Sequence, residues 1–156
     1  MKKFLANKYL LLLSRLILGF IFIYAGMEKI SDPESFARAI NNYKLLPFSL
    51  INIAALILPW IEVTTGILLI FGIIVKENAF IISALVGIFM ITITISLLRG
   101  LNIDCGCFGT AGGSKIGIQK LIENFLLILL GIHLVYFGGG EISFSQNPND
   151  QIPNDK

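Results

Sequence analysis

Apolar residues come in long runs along this chain. Four runs reach the ~20 residues that a helix needs to cross the hydrocarbon core of a bilayer: roughly 9–27, 50–75, 79–98 and 117–137. The breaks between them have local causes. Ser31-Asp32-Pro33 and Leu46-Pro47 punctuate the first, Lys76-Glu77-Asn78 predicts a tight polar turn, and 99–115 is glycine-rich. The pattern predicts an all-α fold, a four-transmembrane-helix bundle over residues 1–140, followed by a disordered polar tail over 141–156. Within the first loop, 30–49, the residues Phe36, Ile40 and Tyr43 recur at helical spacing with Arg38, Asn41 and Asn42 between them. This reads as a short amphipathic helix at the membrane interface, with an irregular loop as the alternative.

Composition supports a polytopic integral membrane protein. Of the 156 residues 55% are hydrophobic and 14% charged, against about 25% charged in a soluble domain. Too little polar material is present to coat a globule, so lipid must cover the rest. The opening Met1-Lys2-Lys3 resembles a signal-peptide start, but Arg15 interrupts the apolar run that follows. The segment reads as a retained first span. Basic residues are nearly balanced between the two sides, and the cluster Lys2, Lys3 and Lys8 favours a cytoplasmic N-terminus. A multi-pass chain in the cell membrane is expected, with both termini cytoplasmic and the 99–115 loop extracytoplasmic. The net charge of +2 does not decide the question of nucleic acid, but no basic patch with interleaved aromatics occurs, so no such partner is expected.

The two cysteines, Cys105 and Cys107, stand in that last loop within Asp104-Cys105-Gly106-Cys107-Phe108-Gly109. Gly106 lets the backbone bend enough for the thiols to approach bonding distance. A disulfide here would close almost no loop and so stabilise little, which suits a bond that is made and broken. Two alternatives stay open: idle apolar cysteines, or half of a metal site shared between chains. One chain lacks the cysteines for a four-thiolate site, and His133 is its only histidine, so no metal is assigned. Asp104 disfavours ionisation of its neighbour Cys105, while Arg99 and Lys115 would favour a thiolate they approached. Charge alone therefore leans toward Cys107 as the more readily ionised thiol.

Within the spans, Arg15 and Glu62 are costly in hydrocarbon and should face the bundle interior. Their depths predict an Arg15–Glu62 pair or shared polar network. It would serve either as a structural ion pair or as a contact for a proton or quinone headgroup. Pro59 predicts a kink in the second span. Gly19, Gly26, Gly66 and Gly72 permit close helix approach. Glu28 and Lys29 are placed at the outer interface, and His133 deep in the fourth span as a hydrogen-bonded core residue or a ligand. Tyr9, Tyr24, Trp60 and Tyr136 read mostly as interfacial anchors.

The run Arg15-x-x-x-Gly19-x-x-Phe22-x-x-Ala25-Gly26-x-x-Lys29-Ile30 resembles the first helix of DoxX-like membrane proteins. Pro59-x-x-Glu62-x-x-x-Gly66-x-x-Leu69-x-x-Gly72 resembles their second. The hexapeptide at 104–109 is similar to the hallmark of the branch named after the methylamine utilisation protein MauE. This resemblance implies a four-helix membrane bundle tied to thiol redox chemistry, beside a thioredoxin-like partner, in maturation of a periplasmic protein such as methylamine dehydrogenase. It is also similar to the vitamin K epoxide reductase group, which implies a quinone as electron carrier. The chain departs from that group in having Cys-x-Cys and no second, shuttle pair. Two functions are expected to compete. One is a thiol–disulfide exchange component acting through Cys105 and Cys107, with Asp104, Arg99 and Gly106 in support. The other is a non-enzymatic membrane anchor or assembly subunit of an electron-transfer complex, with incidental cysteines. Enzyme status and oligomeric state are left open, and a solute transporter is disfavoured by the absence of an internal repeat.

Overall fold

The computed structural model describes residues 7–100 and 117–137. Five helices follow in order: α1 (Lys8–Ser31), α2 (Pro33–Asn42), α3 (Phe48–Phe71), α4 (Val75–Leu98) and α5 (Ile118–Phe137). Among the described residues there is no strand. Helices α1, α3, α4 and α5 hold 20 to 24 residues each and are apolar enough to cross a membrane, spanning about 30–36 Å at 1.5 Å per residue. The predicted polar tail and cysteine loop lie outside the described residues.

The segmentation follows local chemistry. Asn7 starts α1, its side-chain oxygen accepting from the Tyr9 backbone N–H at 3.1 Å. Asp32 ends α1 and starts α2, accepting from the Ser35 backbone N–H at 2.9 Å. Pro33 then fills the first turn, where a missing N–H costs nothing. Bonds from Ser35, hydroxyl and backbone, hold the Asp32 carboxyl below the ordinary carboxylate range. The amphipathic helix expected in the first loop is present as α2. Phe36 and Ala39 are buried, while Glu34, Arg38 and Asn41 face outward.

The boundary between the second and third spans differs from the sequence expectation. Lys76-Glu77-Asn78 does not form the turn between the second and third spans; it lies in the first turn of α4. The turn is made earlier, at Gly72, whose φ of 74° lies in the left-handed region. The Gly72 N–H donates to Leu69 O at 3.1 Å and the Ile73 N–H to Leu68 O at 3.0 Å, the paired bonds of a Schellman ending. Asn78 then reaches back, its amide donating to Ile73 O at 2.8 Å and Ile74 O at 3.0 Å. Its polarity thus serves the turn from within the helix.

The spanning helices form two closely packed pairs. In the first, α1 and α3 run antiparallel: Gly19 meets Gly66, and Gly26 meets Pro59 and Val63. A Cβ added at Gly66 would stand 2.9 Å from Gly19 O, so the backbones themselves are in contact. In the second pair Gly131 of α5 lies against Ser83 and Ala79 of α4. Leu11, Leu18, Phe22 and Leu69 join Val75, Ala79, Ile82, Val86, Leu127 and Leu134 in the core between the pairs. Pro59 sits on the buried face of α3, which continues through it as one helix. The outer surface is apolar, with Phe20, Leu56, Trp60, Phe80, Ile91 and Tyr136 all exposed.

A direct consequence concerns the glycine contact. Gly66→Leu is expected to destabilise the bundle by about 1–3 kcal/mol, because overpacking against backbone cannot be relieved by a rotamer change. Unfolding of reconstituted protein by SDS would measure it, and an unchanged midpoint would show that the helices are free to separate there.

Candidate functional site

Polar and charged side chains are concentrated inside the bundle. The buried set includes Ser14, Arg15, Lys29, Glu62, Thr65, Asn78, Ser96 and Asn124. At its centre the Lys29 ammonium donates to both oxygens of Glu62, at 2.5 and 2.7 Å. Lys29 is 0% exposed and Glu62 2%. Phe36 of α2 and Phe89 of α4 flank the ammonium, each ring centroid 5.1 Å away, so ring quadrupoles add to the carboxylate's attraction. Four helices therefore contribute one side chain each to this site.

Lys29 was expected at the interface and is instead fully buried. The physical reason is its face. Leu11, Arg15, Leu18, Phe22, Ala25 and Lys29 are buried at alternating steps of four and three, so Lys29 continues the inward stripe of α1. On α3 the residues Ile51, Ala55, Pro59, Glu62, Gly66 and Leu69 do the same. Side chains lean toward the N-terminus of their own helix. In an antiparallel pair this carries Lys29 down and Glu62 up until they meet.

The same tilt carries Arg15 away from Glu62, so the expected Arg15–Glu62 pair is not formed. The Arg15 Nε donates to Leu69 O and its Nη2 to Ile70 O, both at 3.1 Å. Those carbonyls belong to the last turn of α3, where the helical N–H partners run out; Leu69 O accepts from the Gly72 N–H as well as from Arg15. A guanidinium there also opposes the negative end of the helix dipole. Gly72 is needed beside it, because a Cβ at that position would run into the guanidinium. Arg15 thus caps α3, and the interior charges expected to share one network form two separate sites.

Arg99, at the C-terminal end of α4, donates from Nη1 to Tyr43 O at 3.3 Å. Tyr43 packs with Ile93, Phe89, Leu97 and Leu121. The contact ties the ends of α2 and α4 together next to the start of α5. Gly100 and Gly117, which bracket the cysteine segment, therefore lie at the α2 end of the bundle. Asp104, Cys105, Gly106 and Cys107 themselves fall outside the described residues. His133 is half-buried, its ring tilted against Phe137 at 5.4 Å. Among the described residues no three His, Cys, Asp or Glu side chains gather to hold a metal ion.

Burial pushes the Tyr43 phenol up from 10.0 to about 12. Between those two values the unfolded chain would ionise Tyr43 while the folded chain keeps it protonated. Its contribution to stability is therefore complete below the lower value and lost as pH rises toward the upper one. Ultraviolet titration should show a late-ionising phenol in the folded protein that is missing from Tyr43→Phe.

Four apolar helices, a buried ion pair and a helix cap from a neighbouring span define a multi-pass membrane protein with a charged interior. More specifically, the chain belongs to the MauE family: the model of methylamine utilisation protein MauE matches residues 7–137. The methylamine utilization protein MauE of Paracoccus denitrificans is 28% identical over 85% of this chain and 72% of its own length. The MauE protein of Methylorubrum extorquens is 31% identical over 78% of this chain and 66% of its own length, and that of Methylophilus methylotrophus 29% over 76% and 64%. The chain thus spans roughly two thirds of these relatives, and just under that for the last two. No solved structure matches.

Proposed function

We propose that this protein is a membrane-embedded thiol–disulfide exchange component, with Cys105 and Cys107 as the reacting pair. The observation that carries the reading is the spacing of two thiols around Gly106 in the segment bracketed by Gly100 and Gly117. Support comes from the Arg99–Tyr43 contact, which fixes one end of that segment against α2. In the proposed step a thiolate of one protein attacks a disulfide sulfur of the other. One S–S bond breaks as the mixed disulfide forms, and the leaving thiolate takes up a proton. The neighbouring cysteine of the attacking pair then attacks the sulfur of the first and expels the other protein's thiolate, so the attacking pair ends oxidised and its partner reduced. The partner is a thioredoxin-like protein on the extracytoplasmic side, with both termini of this chain cytoplasmic. The pathway is maturation of a periplasmic protein, in methylamine utilisation as the relatives' names state. A quinone as the final electron carrier belongs to the proposal without an assigned pocket, since Arg15 and Glu62 are committed to protein partners.

The test is capture. Cys105→Ser, mixed with a thioredoxin-like protein whose disulfide is intact, should accumulate a mixed disulfide visible on non-reducing gels, because no second cysteine of this chain is left to resolve it, and Cys107→Ser should accumulate less. Asp104 beside Cys105 predicts the stronger adduct through Cys107. Absence of any adduct from both variants would sink the reading. The anchor or assembly alternative is favoured by a different observation, that the described charges hold helices together. It predicts full function without either cysteine.

A further inference from the structure

Between α1 and α5 a groove of about 550 Å³ opens sideways, lined by Phe20, Ile21, Tyr24, Glu123, Leu126 and Leu127. Its floor is apolar and its polar groups gather at one end. There the Tyr24 hydroxyl donates to Glu28 at 2.8 Å. Glu123 accepts from Lys120 at 2.7 Å and from Gln119 at 3.1 Å. Glu28 stands one turn beyond Tyr24 on α1, on the side where α5 begins. The end of the groove therefore carries one carboxylate in its lining, Glu123, and a second, Glu28, bonded to the lining Tyr24 hydroxyl, against one ammonium. That ammonium is already bonded to Glu123 and only 17% exposed, whereas Glu123 keeps 37% of its side chain accessible.

A lateral groove in a membrane bundle meets acyl chains, so the informative question is which headgroup its polar end selects. We propose that the groove binds a phospholipid with a primary ammonium headgroup. Its ammonium lies between Glu28 and Glu123, and an acyl chain runs along Phe20, Ile21, Leu126 and Leu127. The argument is charge complementarity. An anionic glycerol headgroup would bring like charge to two carboxylates. A choline headgroup carries the charge but no N–H to donate to carboxylate or phenol oxygens. An ethanolamine headgroup supplies both, since ammonium–carboxylate hydrogen bonds are the strong, charge-assisted kind. This assignment is independent of the thiol chemistry proposed above.

The test uses the full chain in detergent with equal amounts of dioleoyl phosphatidylethanolamine, phosphatidylcholine and phosphatidylglycerol, the retained lipids being counted by native mass spectrometry. Ethanolamine lipid should be retained over glycerol lipid by about fivefold, the effect of roughly one unit charge near a membrane surface. Glu28→Gln with Glu123→Gln should abolish that preference, and Leu127→Trp should lower retention of every lipid by filling the groove. Equal retention of the three lipids by the unmodified protein would overturn the proposal whether or not the variants fold. So would a preference that survives the double glutamine change.

Discussion

Replacing Glu62 with alanine is expected to cost the folded bundle about 3–5 kcal/mol, because the Lys29 ammonium is left buried without its counter-charge. The same loss is expected for Lys29→Met, which strands the carboxylate. Desolvating both ions costs nearly what their attraction returns, so deleting the pair together is far milder than deleting half of it. Lys29→Met combined with Glu62→Leu should therefore stand within about 1 kcal/mol of the starting protein, or above it. Denaturation in mixed micelles gives the double-mutant cycle directly, and the coupling should be strongly positive. If the double variant loses as much as the two single variants summed, the ion pair does not hold α1, α2, α3 and α4 at one point. The aromatic flank adds a local readout. In Glu62→Ala the lysine stem is freed to turn toward water, which withdraws the cation from Phe36 and loosens α2, detectable as faster amide exchange there.

The second large effect concerns chemistry and leaves stability alone. Cys105→Ser combined with Cys107→Ser should reduce disulfide exchange with a thioredoxin-like protein to the uncatalysed background. The bundle itself should keep its stability within about 0.5 kcal/mol. A ring closed by neighbouring cysteines constrains too little chain to matter for folding. Of the single variants, Cys105→Ser should retain attack but lose resolution, while Cys107→Ser should attack more slowly, through the less readily ionised Cys105. Stopped-flow measurement of the partner's fluorescence separates the two steps. Full exchange activity in the double variant would instead favour an anchor or assembly subunit.

Much of the fold was legible because a bilayer imposes length and apolarity at once. The four spans and the amphipathic α2 follow from hydropathy and spacing, down to Phe36 on the buried face. The end of α3 was harder to read, since polarity at Lys76-Glu77-Asn78 was an attractive turn signal. Gly72 opens the turn in the left-handed region, at φ 74°, and Ile74 follows it there at φ 48°, so the chain reverses before Lys76 is reached. The interior charges were half legible. Arg15 and Glu62 were read as inward-facing from the cost of charge in hydrocarbon, and both are buried. Their partners depended on helix register, which the Gly19–Gly66 contact sets and spacing alone does not reveal. Lys29 had a usable signal: it falls on the stripe that already held Arg15, Leu18, Phe22 and Ala25. Its place near the end of a span made an interfacial position the simpler reading. Cys105 and Cys107 were legible as chemistry, and their reactivity depends on neighbours that sequence order does not fix.

The central claim is that these two sulfur atoms exchange covalent partners reversibly. The direct measurement equilibrates the full-length protein in lipid across a series of dithiothreitol redox buffers, quenches each sample with a maleimide mass tag, and counts the tags. The account predicts two tags under reducing conditions and none under oxidising ones, through a single transition that retraces on reversal. A tag count that stays the same at every potential would contradict it.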